Sequence, residues 1–132
     1  MIRARERKIL WGLIALIALI TFSYAIYTHQ SVSTRRYRVV LALKQLARRM
    51  NEYYSLQGDY KATPHKIMLA EIDKAPGYQL HIVRNGNDHF TITAAPVGIQ
   101  ERKDTACGTL SLTDSGNKYI TGTGTVKECW FL

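Results

Sequence analysis

From Ile9 to Tyr27 the chain passes 19 positions without a charged residue or a proline. A helix needs about 20 apolar residues to cross a bilayer. A soluble domain of roughly 100 residues has no room for a helix apolar on every face, so the run reads as a membrane span and not as a core helix. No Gly or Pro follows between Ile26 and Gln57. Val39, Leu43, Leu46, Met50 and Tyr53 recur at spacings of 4, 3, 4 and 3, one face of a helix. Arg36, Lys44, Arg48, Arg49 and Glu52 occupy its other faces, and Gly58 is a natural stop. The pattern predicts one long helix over about residues 5–57, apolar all round in its first half and amphipathic in its second.

The period then changes. Residues 58–77 read as irregular, with a short helical turn over Lys66–Asp73. Tyr78–Arg84 and Phe90–Pro96 alternate apolar and polar positions, and the Asn85-Gly86-Asn87-Asp88 stretch between them is a strong hairpin signal. Gly108–Thr113 and Lys118–Thr121 form a second pair around Asp114-Ser115-Gly116-Asn117. The strand faces Tyr78/Leu80/Ile82, Phe90/Ile92/Ala94 and Leu110/Leu112 suit the stripe on the helix. The expected fold is α+β, a four-stranded antiparallel sheet packed on the second half of one long helix. The Gly/Thr-rich tail from Gly122 carries little pattern of its own.

Charge divides the chain. Residues 1–51 hold ten Lys/Arg and one acid, and residues 52–132 hold eight Lys/Arg and nine Asp/Glu, so the balance is +9 before Glu52 and −1 after it. On that division the folded part is near neutral, and nucleic acid is not an expected partner. Arg3, Arg5, Arg7 and Lys8 abut the apolar run, which favours a cytoplasmic N-terminus. Arg35, Arg36 and Arg38 flank its other side as candidate contacts for lipid headgroups or a partner subunit. The pair Cys107 and Cys129 suggests a disulfide in an oxidising compartment. It would close about two dozen residues and contribute roughly 3 kcal/mol on the chain-entropy account.

Candidate chemistry is thin. His29, His65, His81 and His89 have no ligand spacing, and neither a zinc pattern, a nucleophile elbow nor a phosphate loop occurs. Asn85–Asp88 offers too few oxygens for calcium. Asp104 and Glu101 read as a solvated loop near Cys107. No enzymatic activity, metal, cofactor or small-molecule substrate is expected.

These elements in this order resemble a type IV pilin. "LALKQLARRMNEYYSLQGDYKA" is similar to the helix end and following loop of PilE-like pilins. "FTITAAPVG" and "DTACGTLSLTDSGNKYITGTGTVKECW" are similar to their strand and disulfide-loop region. The likeness covers most of residues 9–131. It implies the pilin fold and a structural role in type IV pilus biogenesis or a related secretion or competence machine, as in the PilE-like and minor pilins. It also implies three parts: a basic cytoplasmic flank 1–8, a membrane half-helix 9–27, and a periplasmic domain 28–132. The last comprises amphipathic helix 28–57, loop 58–77, and sheet with disulfide loop 78–132. Partners would be membrane lipids and other pilin or assembly subunits, at a bacterial inner membrane crossed once.

The opening departs from the family. Pilins carry a Gly-Phe-Thr-Leu-x-Glu-type signature, cut after the Gly. Here Arg3-Ala4-Arg5-Glu6-Arg7-Lys8 stands in that register, Lys8 where the Glu would lie, and Ala25 replaces a proline. A cation cluster belongs in the headgroup layer and resists extraction, so the stretch reads as a permanent anchor. Two alternatives remain open at this point. Ser23-Tyr24-Ala25 resembles a signal-peptidase site whose cleavage would release a soluble periplasmic binding module. A DNA-binding competence pilin would need a basic stripe, for which Lys61, Lys66, Arg84, Arg102, Lys103, Lys118 and Lys127 are the available cations.

Overall fold

A computed structural model describes residues 3–58 and 75–132. The expected turn over Lys66–Asp73 lies outside the described residues, as does most of the expected loop. The elements in chain order are α1 (Ala4–Gln57), β1 (Tyr78–Asn85), β2 (His89–Pro96), α2 (Ile99–Lys103), β3 (Leu110–Thr113), β4 (Lys118–Ile120) and α3 (Val126–Cys129). The chain divides into two compact units, Met1–Ser33 and Thr34–Leu132.

The first unit is helical. Its first turn is supported by Glu6, whose Oε2 accepts the Arg3 backbone N–H at 3.3 Å. Glu6 suits the positive end of the helix dipole, while Arg5, Arg7 and Lys8 oppose it. The apolar side chains have no protein cover: Trp11 is 70% exposed and Phe22 67%. Thr21 gives its hydroxyl to the carbonyls of Ile17 and Ala18 at 3.1 and 2.9 Å, which suits an apolar surrounding. The helix is long and apolar enough to cross a membrane.

The second unit holds the core. Here α1 buries Val39, Val40, Ala42, Leu43, Leu46, Ala47 and Met50, a wider face than the five-residue stripe. Tyr54, one position past the expected Tyr53, packs against that core. Gly58 ends the helix at φ +81, its N–H bonded to the Tyr54 carbonyl at 2.7 Å. The sheet is an antiparallel meander, β1-β2-β3-β4. Its register sets Leu80 opposite Ala94, Ile92 opposite Leu112, and Ala94 opposite Leu110. With Tyr78, Phe90 and the fully buried Trp130, these residues join the α1 face in one hydrophobic cluster.

Three local expectations change. Asn85 belongs to β1 and pairs with His89, so the hairpin turn is Gly86–Asp88, with Gly86 at φ +75. Residues 99–103 form the helical turn α2, and Asp104 behind it is only 3% exposed, so it is not a solvated loop residue. The tail is also ordered. Thr125 caps α3 by accepting the Glu128 N–H at 3.2 Å, and Cys129 is bonded to Cys107. Gly122 lies against the Ala106 carbonyl with no space for a Cβ, so glycine is required for that approach.

Candidate functional site

Three groups of polar side chains are built into the second unit. The first sits where the β1–β2 hairpin opens. Arg36 on α1 donates from Nη1 to Asp104 Oδ1 at 2.7 Å. Asp104 Oδ2 accepts from the Tyr78 hydroxyl at 3.3 Å and from Gln100 Nε2 at 3.2 Å, and Gln100 Nε2 also reaches the Tyr78 oxygen at 2.8 Å. Burial raises the Tyr78 phenol well above the ordinary tyrosine value, so it remains a neutral donor. Phe131 closes the cluster from the tail, with the Arg36 guanidinium 5.4 Å from its ring centroid. The cluster's four polar side chains are engaged with one another. Its chemistry is that of a clamp joining α1, β1, α2 and the C-terminus.

This removes Arg36 from the outward-facing candidates: its side chain is 16% exposed and engaged inward. Arg38 is exposed and Arg35 half-buried. Arg3, Arg5, Arg7 and Lys8 are all exposed. Cys107 and Cys129 form the expected disulfide.

The second group joins two turns. His89 Nδ1 and Asp114 Oδ2 are 2.9 Å apart, linking the β1–β2 and β3–β4 hairpins. The Asp114 hydrogen bond raises the His89 pKa above 6.5. Burial raises the Asp114 carboxyl, but bonds from His89 and the backbone outweigh it and leave the group below its ordinary value. Asp88 in the first turn accepts from the Tyr54 hydroxyl at 3.1 Å, fastening that turn to the end of α1. His81 pairs with Thr93 in register, so it does not face His89.

The third group is a groove between α1 and the β3–β4 hairpin. Lys44 and Arg48 rise on one side, Lys118 and Gly116 on the other, over a floor that includes Ala47 and Leu112. Arg48 meets Glu52 at 3.7 Å in an exposed pair, which holds it only weakly. Lys118 Nζ donates to the Gly116 carbonyl at 3.2 Å. The concave face is therefore lined by three cations and one acid. No cluster with metal-ligand geometry occurs among the described residues.

The groove exposes an error in the division of charge at residue 51. Helix α1 contributes a large share of the core of the folded unit, so its cations belong to that unit. Residues 34–132 hold 14 Lys/Arg against 9 Asp/Glu, a balance of +5 and not −1. Lys44 and Arg48, absent from the basic stripe expected from sequence, are the residues that pair spatially with Lys118. Of that stripe, Arg84, Arg102, Lys103 and Lys127 do not line the groove, and Lys61 and Lys66 lie outside the described residues.

Comparison with known proteins gives a family match. Residues 25–111 match the family described as type IV minor pilin ComP, DNA uptake sequence receptor. A similar solved structure is the non-core minor pilin PilV of Neisseria meningitidis. It is 26% identical, with a TM-score of 0.51, over 70% of this chain and 91% of that one. No curated protein matches the chain. The match names a DNA receptor, so it gives no support to the expectation that nucleic acid is not a partner. The long helix, the antiparallel meander and the disulfide agree with a pilin-like structural role, and the apolar half of α1 is consistent with membrane anchoring. With more than half of its length covered by the family, this chain belongs to the type IV minor pilins.

Proposed function

We propose that this chain is a membrane-anchored minor pilin of a type IV pilus or a related secretion or competence machine, and that it acts by contact and not by catalysis. The observation that supports it best is the pairing, in one chain, of an uncovered apolar helix with a disulfide-closed pilin domain. Ile9–Tyr27 crosses the inner membrane, Arg3, Arg5, Arg7 and Lys8 hold the cytoplasmic headgroup layer, and residues 34–132 stand in the periplasm. The basic flank resists extraction, because moving four cations through hydrocarbon costs several kcal/mol each. The protein is thus a resident of the membrane and not a freely recruited shaft subunit. Protease treatment of spheroplasts tests the orientation. Digestion of the folded domain with survival of an N-terminal membrane fragment is expected. Full protection of the domain would place it in the cytoplasm and defeat the reading.

A second activity is favoured by the groove: binding of DNA by Lys44, Arg48 and Lys118. The family description names a DNA uptake sequence receptor, and the +5 balance of the folded unit suits a polyanion. Fluorescence anisotropy of labelled duplex DNA with the full chain in nanodiscs, at two salt concentrations, tests it. Binding that weakens with salt is expected, and absence of binding at low salt would end the idea.

A further inference from the structure

The groove between α1 and the β3–β4 hairpin holds a group that a plain anion site would not carry. Lys44, Arg48 and Lys118 suit phosphate, yet Glu52 lines the same surface, and these four are its charged residues. The acid of the facing hairpin turn, Asp114, is engaged with His89 and does not line the groove. On the α1 side, Lys44, Arg48, Asn51, Glu52 and Ser55 are all exposed and lie one turn or two apart, so they form a single stripe. The stripe is graded along the helix. Its first part carries the two cations. Its second part begins roughly 10 Å further on, at ~1.5 Å per residue, and carries amide, carboxylate and hydroxyl groups. The Ser55 hydroxyl is turned to the Asn51 carbonyl at 2.9 Å, which leaves Glu52 as the strong acceptor of that part.

Glu52 meets Arg48 at 3.7 Å with the two side chains 62% and 69% exposed. Such a pair opens easily in water. When a phosphate takes Arg48, the Glu52 carboxylate stays beside it. Toward a ligand made only of anionic groups that carboxylate is repulsive. Toward a ligand with amino groups next to its phosphates it accepts a charge-assisted hydrogen bond. Nucleic acid is a ligand of the second kind, and a carboxylate is an ordinary acceptor for the cytosine N4 amino group. Phosphate contacts position and base contacts discriminate, and the stripe separates those two tasks in space. We infer that Glu52 is the residue by which this groove distinguishes nucleic acid from other polyanions. It accepts from a base amino group while Lys44, Arg48 and Lys118 hold the phosphate chain, and it repels anionic polymers that bring no donor. This selection rests on the DNA reading above.

Competition against labelled duplex DNA tests it, with the full chain in phosphatidylcholine nanodiscs at fixed low salt. The competitors are unlabelled mixed-sequence duplex and linear polyphosphate, matched in phosphate concentration. The quantity read is the ratio of their half-displacement concentrations. Glu52→Ala should shift that ratio toward polyphosphate by at least about five-fold, the low end for one base-edge contact. Glu52 is exposed, so the variant keeps its fold, which a circular-dichroism melt checks. Glu101→Ala removes an exposed acid that does not line the groove and should leave the ratio unchanged. A smaller shift in Glu52→Ala, or an equal one in Glu101→Ala, overturns the selection and leaves the DNA reading standing. A wild-type chain that fails to bind the labelled duplex ends the DNA reading and the selection with it.

Discussion

Arg36 and Asp104 stand 68 residues apart in sequence and meet at 2.7 Å, with the carboxylate 3% exposed. That contact ties α1 to the segment before the disulfide, and it predicts an asymmetric response to substitution. Asp104→Asn strands a largely buried guanidinium and should cost about 3 kcal/mol. For a unit of roughly 100 residues this lowers Tm by about 12 °C or more in a circular-dichroism melt. Replacing both partners, Arg36→Met with Asp104→Leu, should restore part of the stability, the remainder being lost with the acceptor that Tyr78 and Gln100 share. Equal damage from single and double variants would show that the pair is not the stabilising unit.

The disulfide should act through the tail. Its sequence separation of 22 corresponds to about 3 kcal/mol of chain entropy. Cys107→Ser with Cys129→Ser should lower stability by about that amount. It should also raise amide exchange at Gly122, Gly124 and Trp130 before it does so in β2. Uniform exchange across the unit would contradict a tail held by the bridge.

The His89–Asp114 bond should be visible in titration. The folded His89 pKa lies above its ordinary 6.5, so its share of stability is present below pH 6.5 and is lost as pH rises through the folded value. The folded Asp114 pKa lies below 3.8, so its share is present above pH 3.8 and is lost as pH falls through the folded value. The link between the two turns is therefore fullest between about pH 4 and 6.5. Proton NMR of His89 should give a midpoint above 6.5, and Asp114→Asn should return it toward that number. An unchanged midpoint in the variant would remove the interaction.

If the groove binds DNA, Lys44→Gln, Arg48→Gln and Lys118→Gln should each flatten the slope of log affinity against log salt. The expected change is about 0.9 for every DNA phosphate that the variant no longer neutralises. Arg84→Gln, which is not part of the groove, should leave the slope unchanged. The reverse pattern would move the DNA to another face of the unit.

Much of this was legible in the sequence because burial imposes period. The stripe from Val39 to Met50 and the alternation at Leu80, Ile82, Phe90 and Ile92 mark the helix and sheet, and Gly86 marks the turn. The clamp was not legible, because Arg36, Tyr78, Gln100 and Asp104 share no local spacing and meet only through tertiary packing. Helix α3 did carry a signal, the Thr125-Val126-Lys127-Glu128 capping pattern, hidden by a Gly/Thr-rich composition. Helix α2 had none, since Gly98 provides no side-chain cap. The groove was obscured by counting charge up to residue 51, which assigned Lys44 and Arg48 to the membrane part when they belong to the folded unit.

On the proposed reading this minor pilin keeps its basic end and stays in the membrane. The intact mass of the protein, extracted from alkali-washed membranes of cells with active prepilin and signal peptidases, tests it most directly. The expected result is a membrane-bound chain that retains Arg3 through Lys8. A shorter chain lacking the first dozen residues, or a soluble one beginning at Ile26, would contradict it.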